Sequence, residues 1–353
     1  MDTPWNRYGP TAARPPREEG ALGAGVRAGT IDVHSHVLVA AAAAYAARHA
    51  PAPATSGEDE TTRLLSARQN ADRRSRMTEV DERLAELDAM GVERQVVMPA
   101  PGQCYYTLPA DAAASASGMV NDGMAEYAAR RPGRFIPFGT VPLQDGAAAA
   151  RELRRCREAL GFRGVQVLTN VAGRELSDPA FAAFWEAAEA LGMLVVIHPS
   201  GYTEPRRLSR FYFNNVIGNP LDTTVALHHL IFDGVLHRHP ALKLLAVHGG
   251  GYLPAYSGRI DHAWGARSDA RGGLPEAPST YLRRIFVDTV VFTPHQLEAL
   301  VAFFGVDHVL MGTDYPYDMA EYDPLGHLAS ATALDAAAVR AIAGGNARAV
   351  LGL

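Results

Sequence analysis

The chain has 353 residues, 48% hydrophobic and 20% charged, which is enough apolar matter for a large core and unlike the composition of a disordered chain. A formal net charge of -5 without a basic stripe argues against a nucleic-acid-binding protein. Lys243 is the only lysine among the 33 basic residues, so any function that needs a lysine falls on that side chain.

Residues 1–29 read as a disordered leader: Pro10, Pro15 and Pro16 are interleaved with Arg14, Arg17, Glu18 and Glu19, and no apolar stretch suits a signal peptide. The alanine-rich run Val37–Ala47 is too short to span a bilayer and is closed by Arg48, His49 and Pro51, so no membrane association is expected. Two cysteines, Cys104 and Cys156, are too few for a disulfide framework and point to a reducing, cytoplasmic setting.

From Thr30 onward short apolar runs alternate with alanine-rich helical stretches, and no shift of composition marks a second domain. The strand candidates are Ile31–His34, Gln95–Met98, Phe135–Val141, Gly164–Leu168, Leu194–His198, Leu242–His248, Ile285–Asp288 and His308–Gly312. Their apolar residues are consecutive, as parallel strands covered on both faces require. Helices are expected at Val80–Met90, Gly118–Arg130, Ala147–Leu160, Pro179–Leu191 and Pro294–Phe304, with Asp178 as an N-cap and Gly192 as a C-terminal stop. This alternation predicts an α/β fold, a (β/α)8 TIM barrel over residues 30–353. An open doubly wound sheet would want a glycine-rich phosphate loop after an early strand, and Asp32-Val33-His34-Ser35-His36 is the opposite of that. The polar stretch 49–76 and the stretch 199–222 follow strands and are expected as long loops on the catalytic face.

The strongest local signal is His34-Ser35-His36 at the end of the first strand. In extended backbone the two imidazoles share one side, a start to a transition-metal site, although the triplet alone reads equally as core or surface histidines. His198 ends the fifth strand candidate, His248 ends the sixth, and Asp314 follows the eighth. In a barrel these strand ends converge on the catalytic face.

These positions, with Val196-Ile197-His198-Pro199, the stretch from Asn214 to Thr224, His248-Gly249-Gly250-Gly251, Gly258-Arg259-Ile260-Asp261-His262 and Gly312-Thr313-Asp314-Tyr315-Pro316, resemble the amidohydrolase superfamily. Within it they are similar to the branch of aminocarboxymuconate-semialdehyde and resorcylate decarboxylases. The resemblance runs from Thr30 to Leu353. It implies one divalent metal ion, zinc or alternatively manganese, held by His34, His36, His198 and Asp314, with an open position for water or substrate. It implies His248 as a general base or hydrogen-bond partner beside the metal, the alternatives being a fifth ligand or a structural histidine. Two-metal members use a carboxylated lysine at the end of strand four. Gly164–Leu168 contains none, which excludes that site here.

The resemblance further implies that Arg259 enters a neighbouring subunit's site and binds a substrate carboxylate, and hence a homodimer. The bland reading of Arg259 is a helix-surface salt bridge. A second carboxylate-binding arginine is expected before helix one, where Arg73, Arg74 and Arg76 all stand. Ser200-Gly201 replaces the Trp-Asp that follows the strand-five His-Pro in the semialdehyde decarboxylases, which leaves the substrate open. Tyr202, Phe211, Tyr212 and Phe213 either line a pocket or simply pack. The expected function is metal-dependent, non-oxidative decarboxylation of an aromatic or unsaturated carboxylic acid, with His248 and Asp314 as catalytic residues. The alternatives are a lactone, ester or amide hydrolase or a hydratase on the same site, or a non-catalytic metal-binding scaffold. The partner in each enzyme case is a small-molecule carboxylate, with neither nucleic acid nor membrane.

Overall fold

A computed structural model describes residues 28–50 and 58–353, so the expected leader lies almost wholly outside the described residues. Among the described residues twelve strand segments form: β1 (Ile31–Asp32), β2 (His36–Val37), β3 (Arg94–Pro99), β4 (Phe135–Pro137), β5 (Gly139–Thr140), β6 (Gly164–Leu168), β7 (Asn170–Val171), β8 (Arg174–Glu175), β9 (Leu194–His198), β10 (Lys243–Ala246), β11 (Phe286–Asp288) and β12 (Val309–Leu310). Apart from the antiparallel hairpin β7–β8, every pairing is parallel.

Several of the breaks are interruptions within one strand. Phe138, between β4 and β5, donates its N–H to Val97 at 2.9 Å, so the two segments are the third strand of a continuous ring. Val33 donates to Met311 at 2.9 Å and His36 to Tyr315 at 2.8 Å, and Ser35 bridges Tyr315 in parallel, which joins the first strand to the eighth. The ring closes as an eight-stranded parallel barrel.

Alternation along the strands builds two cores. Ile31, Val33, Val96, Met98, Ile136, Phe138, Leu194, Val196, Leu245 and Leu310 fill the interior, plugged at one end by Ala347, Val350 and Leu351. Val97, Val165, Val167, Val195, Ile197, Leu244 and Val287 face outward under the helices. Lys243 belongs to the plugged end, where its Nζ donates to the Val350 carbonyl at 3.0 Å, far from any strand-end chemistry.

The helices Val80–Ala89, Gly146–Glu158 and Pro294–Phe304 fall where periodicity places them. Asp178 caps as expected, accepting from Ala180 N at 2.8 Å, although a 3-10 turn, Pro179–Phe181, precedes the helix Ala182–Ala190. Four expectations need correction. The stretch 49–76 is not a simple loop: Glu60–Asp72 and Arg74–Thr78 are helical, started by Asp59, which accepts from Thr62 N at 2.8 Å. The helix expected from Gly118 begins at Ala110. Part of 199–222 is helical, at Phe213–Val216 and from Gly218 onward. The sixth strand stops at Ala246 rather than His248, because His248 takes a left-handed φ of 55° that ends the ladder. Among the described residues no helix is long and apolar enough to cross a membrane.

Candidate metal centre and active-site cleft

The second residue after β1 and the first residue of β2 carry the imidazoles of His34 and His36 into the barrel mouth, and β9 ends on His198. Their ring centroids lie 4.8–5.2 Å apart. Asp314 comes from the turn after β12, and one donor atom from each of the four side chains falls within 4.8 Å of the others, all buried. Its Oδ1 is 3.3 Å from His34 Nε2 and 3.2 Å from His36 Nε2.

Each ring is oriented by its other nitrogen. His34 Nδ1 lies 2.7 Å from Asp288 Oδ2, His36 Nδ1 is 3.2 Å from the Pro99 carbonyl, and His198 Nδ1 is 2.6 Å from the Pro199 carbonyl. Carbonyl and carboxylate oxygens only accept, so the proton belongs on Nδ1 of each ring and the Nε2 lone pairs converge. Those of His34 and His36 are 3.3 Å apart, a repulsive contact unless a cation lies between them. His198 Nε2 and Asp314 Oδ1 are buried without a hydrogen-bond partner. Burial pushes His36 down to about 4 and holds His198 well below the ordinary imidazole value, so both stay neutral, the form that ligates metal. For His34 burial acts in the same direction, but the Asp314 and Asp288 carboxylates outweigh it and raise it. Burial works to raise Asp314, yet His34, His248 and His36 hold it well below the usual carboxylate range. Three neutral-capable imidazoles and one carboxylate therefore fit a single divalent ion of the zinc or manganese type.

His248 stands beside this set, its Nε2 3.4 Å from Asp314 Oδ2. Left-handed backbone continues from His248 through Gly249, Gly250 and Gly251. A Cβ on Gly249 would come within 2.5 Å of Val291 Cγ1, which accounts for the glycine run after the histidine. Asp314 also has a positive φ, 61°, a strained conformation of the kind concentrated at functional sites.

Four supporting residues stand outside the candidate set read from the sequence. Asp288 accepts from His34 and, through Oδ1, from Gly249 N at 2.9 Å. It ends the seventh strand as Asp314 follows the eighth, and that shared position is the signal that identifies it. Asp32 joins the first motif to the last, accepting from Thr313 Oγ1 at 2.6 Å and Gln95 Nε2 at 2.7 Å, and burial pushes it up to about 6. Arg83 is fully buried, donating to Gln95 Oε1 at 2.8 Å and to the His36 carbonyl. Gln166 is buried on the fourth strand, its Nε2 donating to Pro99 O at 3.1 Å.

A cavity of about 290 Å3 opens over His198 and Asp314 and is lined by Arg73, Tyr212, Asn214 and Tyr317 among others. The Arg73 guanidinium lies 4.3 Å over the Tyr317 ring, which in turn sits 5.0 Å from His36. Of the three candidate arginines Arg73 alone lines the cavity; Arg74 is exposed, and Arg76 pairs with Glu86 at 3.0 Å. Of the four aromatics singled out, Tyr212 lines this cavity and its hydroxyl donates to Asp318 at 3.2 Å, while Phe211 is 65% exposed. Arg259 is exposed on the helix Leu253–Ala266 and does not line the cavity of its own chain.

The chain is similar to several known proteins. The 2-amino-3-carboxymuconate-6-semialdehyde decarboxylase of Dictyostelium discoideum is 35% identical over 275 residues, 77% of this chain and 76% of that one. The crystal structure of 5-carboxyvanillate decarboxylase from Sphingomonas paucimobilis is 26% identical with a TM-score of 0.82, over 92% of this chain and 99% of that one. A dihydroxybenzoic acid decarboxylase from Polaromonas, solved with bound manganese and 2-nitroresorcinol, shares the fold with a TM-score of 0.76 at 24% identity, over 92% and 97% of the two chains. The family model described as Amidohydrolase matches residues 31–353, the whole barrel with every motif of the cleft inside it, and the chain belongs to that family.

Proposed function

We propose that the protein is a single-metal, non-oxidative decarboxylase of an aromatic or unsaturated carboxylic acid. The observation that carries this reading is one buried four-donor cluster facing a cleft that holds an arginine. Gln166 stands on the fourth strand and Lys243 is tied up at the opposite end of the barrel. Relatives that match most of the chain are decarboxylases of such acids, which supports the same chemistry here.

His34, His36, His198 and Asp314 would hold the ion, for which we propose zinc. When bound, it would supply Lewis acidity to a substrate oxygen. Arg73 binds the anionic end of the acid, its guanidinium held flat by Tyr317. As the bond to the leaving carbon dioxide breaks, its electron pair stays on the ring carbon and must be collected by a proton. His248, its Nε2 3.4 Å from Asp314 Oδ2, takes that proton from solvent and delivers it to the carbon, while the anionic Asp314 carboxylate holds the imidazole in place. We further propose a homodimer in which Arg259 completes a partner's cleft, and a reducing, cytoplasmic setting for the two buried thiols.

The test is carbon dioxide release from hydroxybenzoates and muconate semialdehydes by the metal-loaded chain, with metal content measured on the same sample. Stoichiometric carbon dioxide with loss of activity on chelation is expected. A product that keeps every carbon and gains water makes the enzyme a hydrolase or hydratase and overturns the reading. For Arg259, sedimentation of a fully active monomer removes its assignment.

A further inference from the structure

The cleft has two chambers. Asn215 and Asn219 line both, and Asp314 forms part of the floor of each. Beyond the two asparagines, on the side away from Arg73, lies a second cavity of about 310 Å3 that reaches His248. Most of its walls are apolar, from Val216, Pro220, Val290, Val291, Phe292 and Met319, with Gln296 the polar exception beyond the asparagines and His248, and apart from Asp314 no carboxylate, lysine or arginine lines it. Phe292 adopts a left-handed φ of 66°, a costly conformation for a bulky residue. Val216 stays 48% exposed and Tyr252 39% exposed along the same cavity. Exposed apolar side chains gathered at a rim mark a surface made to receive something apolar.

We propose that this chamber is the subsite for an apolar substituent of the substrate. The preferred acid is then one bearing an alkyl chain or a second ring, bound more tightly than a bare hydroxybenzoate or a polar semialdehyde that reacts at the same centre. The assignment rests on the decarboxylase reading of the same cleft. Its geometry follows from what the chambers share. The reacting carbon must sit over Asp314, where the two meet, with His248 on the far side, so the carboxylate faces Arg73 and the substituent extends the other way. The size is informative. An apolar cavity of about 150 Å3 holds benzene, so one about twice as large takes a ring with roughly four further carbons, or two fused rings.

The experiment uses the metal-loaded full chain and a series of 2-nitrophenols carrying n-alkyl groups of one to four carbons at each free ring position. The nitro group mimics the carboxylate and cannot leave, so affinity is read by calorimetry without turnover. Affinity is expected to rise about three- to fivefold per methylene at one ring position. Val216→Trp, at a half-exposed position that tolerates bulk, is expected to erase that gain, and Val216→Ala to keep it. A flat series, or a gain untouched by Val216→Trp, overturns the proposal. A flat series in a dimer that Val216→Trp dissociates overturns it as well, by giving the chamber to a second copy. Carbon dioxide release from the matching acids is measured in parallel. Affinity that climbs with chain length while no carbon dioxide appears leaves the chamber assigned and removes the decarboxylase reading; carbon dioxide with a flat series does the reverse.

Discussion

One carboxylate, Asp288, ties three parts of the cleft together: it accepts from His34 Nδ1 at 2.7 Å, from Gly249 N at 2.9 Å and from Val290 N at 3.2 Å. Replacing it by Asn puts an amide where an acceptor is needed, or reverses that amide and leaves a weaker, neutral one. Such outer partners are typically worth a factor of about 10–100 in metal affinity. Asp288→Asn should therefore weaken binding of an added divalent metal by about that factor in competition with a chelating dye, with an unchanged circular dichroism spectrum. Equal affinity in wild type and variant would make Asp288 a packing residue only. Arg73 and Arg74 are neighbours in sequence with opposite surroundings, one in the cleft and one in solvent. A charged hydrogen bond is worth about 1.5–3 kcal/mol, so Arg73→Ala should lower kcat/KM by about 10- to 100-fold while Arg74→Ala changes it less than about twofold. Similar losses in both would remove the assignment. The four members of the candidate metal cluster are legible in the sequence because each stands in a short motif at a strand end. Arg83 is not, and Arg73 is legible only as one of three, since an arginine on a helix looks the same whether its guanidinium reaches solvent, the barrel wall or the cleft.

At the scale of elements, the misread stretches share a physical cause. The helix Glu60–Asp72 buries only Thr62 and Gln69, so no apolar stripe exists for periodicity to detect. The helix Ala110–Ala129 opens on small residues, Ala and Ser, which carry little hydrophobic contrast. The barrel strands, buried on both faces, announce themselves as apolar runs, and all eight lie where those runs place them with ends shifted by a few residues, the first interrupted between β1 and β2 and the third between β4 and β5. The His248–Gly251 turn is where local sequence and function meet. Gly249→Ala adds a left-handed alanine and a clash with Val291 at 2.5 Å. Overpacking of that kind costs about 1–3 kcal/mol, so the melting temperature should fall by several degrees. Activity should fall further than stability alone accounts for, because His248 moves with the turn. A variant that melts early but keeps full turnover at low temperature would separate the turn from the chemistry.

For the whole molecule, the barrel encloses groups that water would ionise in the unfolded chain. Cys104 is fully buried and burial pushes its thiol up to about 11, only partly countered by hydrogen bonds from Thr140 and Gln166. Cys156 is raised for the same reason. Burial also raises the Tyr322 phenol to about 12 and Tyr106 well above its ordinary value. The unfolded chain releases these protons at lower pH than the folded one, so the folded chain binds more protons and stability must fall as pH rises. Nothing is lost below about pH 8, where thiols are protonated in both states. Loss begins near the ordinary thiol value and continues through about 11 for Cys104, amounting to on the order of 3 kcal/mol for that group, with the phenols adding to it from about 10 upward. The urea midpoint should therefore be level from pH 7 to 8 and drop between 9 and 11. In the native protein at pH 8 neither thiol should react with Ellman's reagent over minutes, and both should react once urea unfolds the chain. A native protein that titrates two thiols at pH 8, or a midpoint that holds steady to pH 11, would mean that water reaches the space between the third and fourth strands, where Cys104 meets Thr140 and Gln166. The floor beneath His36, built on the same Gln166 and Pro99, would then be wetter than its hydrogen bonds require.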